Sequence, residues 1–229
     1  MGLSFPVNLV VWKPAFRIIP SRFPPIDLFE RVTNAADREA VIAVESLTNE
    51  RLRDERGDAE IVTRDQRVEG QGTSIIMAAF THLNPDGSRF SNGSYGVFYA
   101  ANDLDTAIAE TTYHRQRFML ATSQPSMDLD MRVYLLDVES DFHDIRGQRA
   151  ALSLIYHKDN YSAAQNLALE LRKEGTNGVV YESVRREKGE CVAAFRPQAL
   201  SNCRQERHLC YVWNGQVITT VYEKRSLGG

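Results

Sequence analysis

The final third of the sequence constrains the fold most strongly, because its strand signals lie too close together for helical crossovers between them. Four segments rich in β-branched and aromatic residues are predicted as strands: residues 178–184, 191–195, 207–213 and 216–222. The last two flank Asn214-Gly215, a dipeptide typical of tight β-hairpins. Parallel strands need a connection of about a dozen residues or more, so these strands are predicted to pair mostly antiparallel.

Earlier segments supply two more strands and the helices that flank the sheet. Residues 95–101 and 131–138 are predicted as strands. A helix is predicted to begin at Asp103 or Asp105. A second helix is predicted to begin at Ser162, which forms a capping box with Gln165, and to end at Gly175. We therefore predict a single α+β domain over residues 1–229, with a mainly antiparallel β-sheet core flanked by helices.

The N-terminal part of the chain has a different character. Residues 1–30 carry five prolines, which prevent helix continuation, so this segment is predicted to be an extended arm packed over the domain. A helix is expected next, capped by Asn34 with Asp37 three residues later. Residues 34–70 contain that helix and a stretch of mixed charge, and we interpret them as a helical, charged insertion with a solvated face.

Composition excludes several functional classes. The 27 Lys and Arg residues are outnumbered by 30 Asp and Glu, a net charge of −3, whereas binding to nucleic-acid phosphates calls for a basic surplus. The three cysteines have no C-x-x-C spacing and the five histidines are scattered, so no metal site is predicted and a reducing compartment is favoured. No apolar stretch approaches the ~20 residues that span a bilayer, and the N-terminus lacks the basic region of a signal peptide. A cytoplasmic protein without a membrane or nucleic-acid partner is expected.

Four separated elements carry residue types suited to a catalytic site. They are residues 29–33 with Arg31, residues 87–91 with Arg89, residues 96–111 with Tyr99 and Glu110, and residues 177–185 with Ser183. In order and spacing, these elements resemble the RES-domain family, the toxin half of bacterial RES–Xre toxin–antitoxin pairs. The resemblance extends from about Arg31 to Val221 and includes a tyrosine at a strand end and a glutamate eleven residues later, Tyr99 and Glu110.

This resemblance implies a fold related to the ADP-ribosyltransferase toxins of the diphtheria type. It implies NAD⁺ as the substrate, cleaved at the nicotinamide–ribose bond. Glu110 would be catalytic, Arg31 and Arg89 would bind NAD⁺, Tyr99 would stack on nicotinamide, and Ser183 would help to hold the nicotinamide ribose. The implied partner is an Xre-type antitoxin with a helix-turn-helix module, which blocks the active site.

The residue types also suit this reaction on chemical grounds. Nicotinamide leaves a pyridinium as a neutral group, so no acid has to protonate it and one carboxylate, Glu110, suffices to stabilise the ribose cation. Guanidinium groups bind phosphate oxygens through two parallel hydrogen bonds. A tyrosine ring such as that of Tyr99 stacks on nicotinamide and leaves its hydroxyl for a ribose or phosphate contact. Ser183 has no adjacent base in the sequence, so a hydrogen-bonding role is favoured over a nucleophilic one.

The acceptor of the ADP-ribosyl group stays open in the sequence. Water or phosphate would make the protein a glycohydrolase or phosphorylase, whereas a protein acceptor would make it a mono-ADP-ribosyltransferase toxin. Two other classes are also open: a toxin that cuts or clamps RNA, which the net charge disfavours, and a non-catalytic module that only binds its antitoxin. Tyr113 and His114 are interpreted as packing residues, and Arg185 and Arg186 as part of a solvated face.

Overall fold

A computed structural model describes residues 5–21, 62–225 and 227. Within them the chain forms one α+β domain with a seven-stranded sheet and three α-helices, which confirms the predicted fold class. The strands are β1 (Val7–Pro20), β2 (Phe98–Ala101), β3 (Met127–Asp144), β4 (Gly178–Glu182), β5 (Glu190–Ala194), β6 (Leu200–Trp213) and β7 (Ile218–Lys224). The helices are α1 (Thr73–Thr81), α2 (Leu104–Ala121) and α3 (Ser162–Lys173).

The sheet closes on itself at one end. Its strand order is β1-β2-β5-β4-β3-β6-β7, and β1 also pairs with β3 along most of its length. The strands β1, β2, β5, β4 and β3 are therefore a ring of neighbours, from which β6 and β7 extend. All pairs are antiparallel except the short contact of β3 with β4. The contact of β1 with β2 is a single pair, Phe16 with Ala101, so the two strands diverge on either side of it.

Two hydrophobic cores lie on opposite faces of the sheet. One contains Val133 and Tyr181 with the apolar faces of α2 and α3, including Leu167. The other contains Phe98 and Val192 with residues of α1 such as Ile76 and Phe80. Successive strand residues point to opposite faces, so Tyr99 faces the first core while Phe98 faces the second. Among the described residues, no helix combines the length and apolar character needed to cross a membrane.

The proline-rich N-terminal segment is extended, as predicted, but it is not an arm packed over the domain. Residues 7–20 form β1, a fourteen-residue strand in the body of the sheet. The sheet accommodates Pro14 because the register with β3 shifts between Trp12 and Ala15, where the missing N–H of proline interrupts no regular ladder. The part of the predicted arm from residue 22 to 30 lies outside the described residues.

The helix starts were predicted with mixed success. The start of α2 is confirmed, because Asp103 is its N-cap and accepts a hydrogen bond of 2.8 Å from the Thr106 N–H. The capping box at α3 is wrong: Tyr161 is the N-cap and its side chain makes no capping hydrogen bond, while Asn160 Oδ1 accepts from the Ser162 N–H at 3.0 Å. The Gln165 amide instead donates to the carbonyl oxygens of Ser88 and Ser91.

Helix α1 was not predicted, because it lacks a side-chain cap that the sequence would reveal. Its N-cap is Gly72, with φ 78°, and no side chain there bonds the helix. The predicted helix capped by Asn34 lies outside the described residues, and the described end of the 34–70 segment contains a short 3₁₀ turn at Arg64–Gln66. The predicted strand over residues 95–101 is shorter than expected, with only Phe98–Ala101 in the sheet.

Candidate active site

The turn at residues 87–91 is held in place by tyrosines from two later segments. The Tyr99 hydroxyl lies 2.7 Å from Ser88 Oγ and accepts a hydrogen bond of 2.9 Å from the Phe90 N–H. The Tyr95 hydroxyl donates to the Phe90 carbonyl oxygen at 2.8 Å. The turn that carries Arg89 is therefore fixed relative to the end of β2.

Arg89 is a buried cation, with 7% of its surface exposed. Its Nη1 donates to the carbonyl oxygens of Ile155 and His157, each at 2.9 Å, and its guanidinium lies 4.7 Å from the ring centre of Tyr161. Among the described residues no carboxylate pairs with it, so its positive charge is not neutralised by an acid there. A buried, uncompensated guanidinium beside a loop is well suited to receive an anionic ligand group.

Tyr99 uses its hydroxyl inside the protein. Both of its partners, Ser88 and Phe90, belong to the turn that carries Arg89. Burial raises the pKa of this hydroxyl, so the phenol stays protonated at neutral pH. The Tyr99 hydroxyl, which was expected to contact ribose or phosphate, is therefore already hydrogen-bonded within the protein. A ligand can contact Tyr99 through the face of its ring.

Glu110 and Ser183 come together from positions far apart in the chain. Ser183 Oγ donates a hydrogen bond of 2.6 Å to Glu110 Oε1 and accepts two of 3.0 Å from the N–H groups of Arg185 and Arg186. Ser183 is 1% exposed, and its one proton is committed to the carboxylate. A carboxylate is too weak a base to activate an alcohol strongly, so we assign the hydroxyl the role of orienting Glu110 and not that of a nucleophile. No lysine or arginine among the described residues forms an ion pair with this carboxylate.

The buried Tyr181 lies near three of the predicted site residues. Burial raises the pKa of Tyr181 well above its usual value, and the nearby Glu110 and Tyr99 raise it further while Arg89 opposes them. All three predicted residues therefore lie within electrostatic range of the same ring. Arg31 lies outside the described residues, so its place relative to them stays a prediction.

Arg17 of β1 is a residue that the sequence analysis missed. Its Nη1 donates to the Tyr99 carbonyl oxygen at 3.0 Å, its guanidinium lies 4.1 Å from the ring centre of Phe98, and its buried Nε has no hydrogen-bond partner among the described residues. Burial lowers the pKa of this guanidinium to about 10, which leaves it charged at neutral pH. The signal in the sequence was a lone arginine among the alternating apolar residues of a strand.

Arg17 and Tyr99 line a cavity of about 440 Å³ where β1 and β2 diverge. Ser88 and Tyr95 line it as well, together with apolar residues of α1 such as Ile75. The cavity lies next to the Arg89 turn, since Gly87, Ser88 and Ser91 of that turn line it. Its volume is within the range of small-molecule sites in proteins, and it places a second guanidinium beside the predicted site.

The opposite flank of the site is electropositive. His114 is an exposed residue one helical turn after Glu110. Its pKa is lowered to about 4, first by partial desolvation of the ring against its neighbours and then because Arg185 and Arg117 repel a further positive charge. The Arg185 guanidinium lies 3.3 Å from the ring centre of Tyr113. Arg185 also pairs with Asp159 at 3.7 Å, so the positive charge on this flank is partly compensated.

This electrostatic environment predicts how His114 titrates. By NMR, the His114 ring should titrate well below 6.5, and Arg185→Gln should raise its pKa, while Arg207→Gln on β6 should not. The unfolded chain binds this proton near pH 6.5 and the folded chain only near pH 4, so the contribution of His114 to folding stability is complete above pH 6.5 and declines as pH falls toward 4. A midpoint near 6.5 in the wild type would contradict this account.

Comparison with known proteins then decides the family. A family model described as RES domain matches residues 64–214, well over half of the chain. The chain belongs to the RES domain family. The matched RES region contains Arg89, Tyr99, Glu110 and Ser183, whereas Arg17 and Arg31 precede it.

The chain is also similar to individual proteins. The chain is 32% identical over 209 residues to the uncharacterized protein y4oC of Sinorhizobium fredii (strain NBRC 101917 / NGR234), across 90% of this RES protein and 86% of that one. It is also similar to a chain in the crystal structure of the M. tuberculosis MbcT–MbcA toxin–antitoxin complex, with 15% identity, a TM-score of 0.46 and 86% of each chain covered.

Among the described residues, no group of three or more His, Cys, Asp or Glu side chains is arranged to hold a metal ion.

Proposed function

We propose that this RES domain protein is a toxin that cleaves the nicotinamide–ribose bond of NAD⁺ and transfers the ADP-ribosyl group to water or phosphate. The observation that carries the proposal is the Glu110 carboxylate, oriented by Ser183 at 2.6 Å and paired with no cation among the described residues. A carboxylate held in this way stabilises positive charge that develops next to it. Arg89, a buried and uncompensated cation, lies in the same region.

In the proposed reaction the bond between C1′ of the ribose and the ring nitrogen of nicotinamide breaks, and the electron pair leaves with neutral nicotinamide. Positive charge develops on C1′ and the ring oxygen of the ribose, where Glu110 stabilises it. An oxygen of water or phosphate then bonds to C1′. Water loses a proton to solvent and yields ADP-ribose, whereas phosphate yields ADP-ribose 1″-phosphate.

The diphosphate of NAD⁺ would be bound by guanidinium groups. Arg17 donates to the Tyr99 carbonyl oxygen, Arg89 lies in the turn that the Tyr99 hydroxyl contacts, and neither arginine has a carboxylate partner among the described residues. Two separated guanidinium groups bind both phosphates of a diphosphate. We therefore add Arg17 to the proposed NAD⁺-binding residues Arg89, Tyr99 and Ser183, while the proposed role of Arg31 is kept as the resemblance implies it.

The acceptor is tested by the identity of the product. NAD⁺ incubated with the protein in phosphate-free buffer should give nicotinamide and ADP-ribose by mass spectrometry, and added phosphate should yield the 1″-phosphate if phosphate is the acceptor. Labelled ADP-ribose in a protein band instead of either small product would identify a mono-ADP-ribosyltransferase. Nicotinamide release without any of these products would contradict the proposed chemistry.

We also propose that the cellular partner is an Xre-type helix-turn-helix antitoxin that covers this site, as the resemblance to RES–Xre pairs implies. A toxin of this kind would act on the cytoplasmic NAD⁺ pool. Co-expression of a cognate helix-turn-helix antitoxin should restore both growth and cellular NAD⁺. Restored growth with NAD⁺ still depleted would contradict blockage of the active site.

Ser183→Ala tests the orienting role of the hydroxyl. Removing it takes away the hydrogen bond to Glu110 and leaves the N–H groups of Arg185 and Arg186 without this acceptor. A hydrogen bond to a charged group is worth about 1.5–3 kcal/mol, so kcat for nicotinamide release should fall roughly 10- to 100-fold. The exposed Ser201→Ala on β6 is the control and should keep wild-type kcat. Full activity in Ser183→Ala would refute the orienting role.

A further inference from the structure

One loop contacts four positions on a single face of α2. Residues 183–189, here called the clasp loop, are closed by the Ser183 N–H, which donates to the Gly189 carbonyl oxygen at 2.7 Å. Positions spaced by three, four and three residues lie on one face of a helix. The clasp loop contacts such a set at the start of α2 and along its first three turns: Asp103, Thr106, Glu110 and Tyr113.

Arg186 holds the clasp loop to the beginning of α2. Its Nη1 lies 3.0 Å from both carboxylate oxygens of Asp103 and 3.0 Å from Thr106 Oγ1, and its Nη2 lies 3.2 Å from Asp105 Oδ2. Asp103 is also the N-cap of α2. One side chain therefore joins the loop to the capping residue and to the first turn, one turn before Glu110.

The backbone of the clasp loop lies directly against the same turn. A Cβ atom at Gly189 would stand 2.5 Å from Thr106 Oγ1, and Thr106 is fully buried. No residue larger than glycine fits at this contact without moving the loop away from the helix. The distance between loop and helix is therefore set by close packing as well as by the Arg186 contacts.

Arg185 holds the clasp loop on the other side of Glu110. Its guanidinium lies 3.3 Å from the ring centre of Tyr113, one turn after Glu110, and its side chain is 10% exposed. Its Nη2 also donates to the Lys158 carbonyl oxygen. This arginine is packed between the helix and a neighbouring loop and does not belong to the solvated face that the sequence suggested.

We propose that Arg185 and Arg186 are positioning residues for Glu110. Each fixes one end of the contact between the clasp loop and α2, and between them Ser183 reaches the carboxylate at 2.6 Å. Their backbone N–H groups also donate to Ser183 Oγ, which leaves its proton directed at Glu110. The activity readout of this inference rests on the proposed NAD⁺ cleavage, whereas the geometry it describes does not.

The kinetic test compares Arg186→Ala and Arg186→Lys with Arg207→Ala. Arg207 is a matched control, because it pairs with two carboxylates, Glu206 and Glu223, and its side chain is 35% exposed against 36% for Arg186. Misplacement of a catalytic group costs up to about 100-fold. We expect Arg186→Ala to lower kcat about tenfold, with KM within about twofold of wild type. Arg186→Lys should recover part of this loss in kcat. Arg207→Ala should leave kcat unchanged.

A double variant shows whether Arg186 acts through Ser183. If it does, Ser183→Ala with Arg186→Ala should be about as slow as Ser183→Ala alone, because the hydrogen bond that Arg186 supports is already gone. Losses that multiply would overturn the proposal, as would a wild-type kcat in Arg186→Ala.

Amide hydrogen exchange tests the clasp without NAD⁺. In the wild type the N–H groups at positions 185 and 186 are bonded to Ser183 and should exchange slowly, and Arg186→Ala should speed both at least about tenfold. Exchange at an unchanged rate would overturn the proposal even if the protein cleaves NAD⁺. If the protein releases no nicotinamide, the proposed function is contradicted and the exchange rates alone decide the clasp.

Discussion

Glu110→Gln is expected to lower kcat for nicotinamide release by about 100- to 1,000-fold. The glutamine keeps an oxygen that accepts the Ser183 hydroxyl, so the site keeps its hydrogen bond but loses the negative charge. Charge stabilisation of a developing cation by one preorganised group is worth about 3–4 kcal/mol, which is the origin of the expected factor. KM for NAD⁺ should change little, because the charge acts mainly when the bond breaks.

The matched control for this variant is Glu170→Gln. Glu170 is an exposed helical glutamate on α3, and the same substitution there removes a charge from a different helix. We expect Glu170→Gln to keep wild-type kcat and both variants to unfold within about 1 kcal/mol of the wild type. An active Glu110→Gln protein would remove this residue from the mechanism, since its fold and hydrogen bond are preserved.

Gly72→Ala is expected to cause the largest loss of stability of the single substitutions considered. Gly72 caps α1 with φ 78°, and a Cβ atom there would stand 1.8 Å from the carbonyl oxygen of Cys203 on β6. The left-handed backbone costs alanine about 1–2 kcal/mol, and the overlap with rigid backbone adds about 1–3 kcal/mol or more. The free energy of unfolding should fall by about 3 kcal/mol or more in urea titration.

Gly147→Ala separates the two causes of this loss. Gly147 has nearly the same backbone conformation, φ 73°, but nothing lies within 4 Å of a Cβ atom built there. Its alanine variant should therefore lose only the conformational part, about 1–2 kcal/mol. Equal losses at the two positions would show that the approach of α1 to β6 is looser than the structure describes.

The parts of the fold that sequence could predict are those fixed by local interactions. Asp103 caps α2 through a residue three positions later, and Asn214 accepts hydrogen bonds from the N–H groups of Gln216 and Val217 within its own turn. Both signals are contained in a few residues. Helix α1 was missed because its N-cap is Gly72, a residue without a capping side chain. Glycine is needed there because the backbone of Cys203 on β6 lies against it, and no local sequence pattern shows that contact.

The residues of the candidate site could not be connected by local sequence patterns, because they are far apart in the chain. Glu110 and Ser183 are 73 residues apart, and only the resemblance to RES domains connected them before the structure did. The same resemblance did not draw attention to Arg17, whose importance comes from the divergence of β1 and β2 beside Tyr99. Arg185 and Arg186 were read as solvated because a charged pair in a loop is usually exposed, and their partners on α2 are 72 to 83 residues away.

The most direct test of the central claim is a ¹H NMR time course of NAD⁺ with the purified wild-type protein. The anomeric proton of the nicotinamide ribose should disappear while the ring signals of free nicotinamide grow at the same rate, and Glu110→Gln should show neither change on that time scale. Intact NAD⁺ after prolonged incubation, with and without phosphate and a cell lysate as the source of acceptors, would contradict the proposed function.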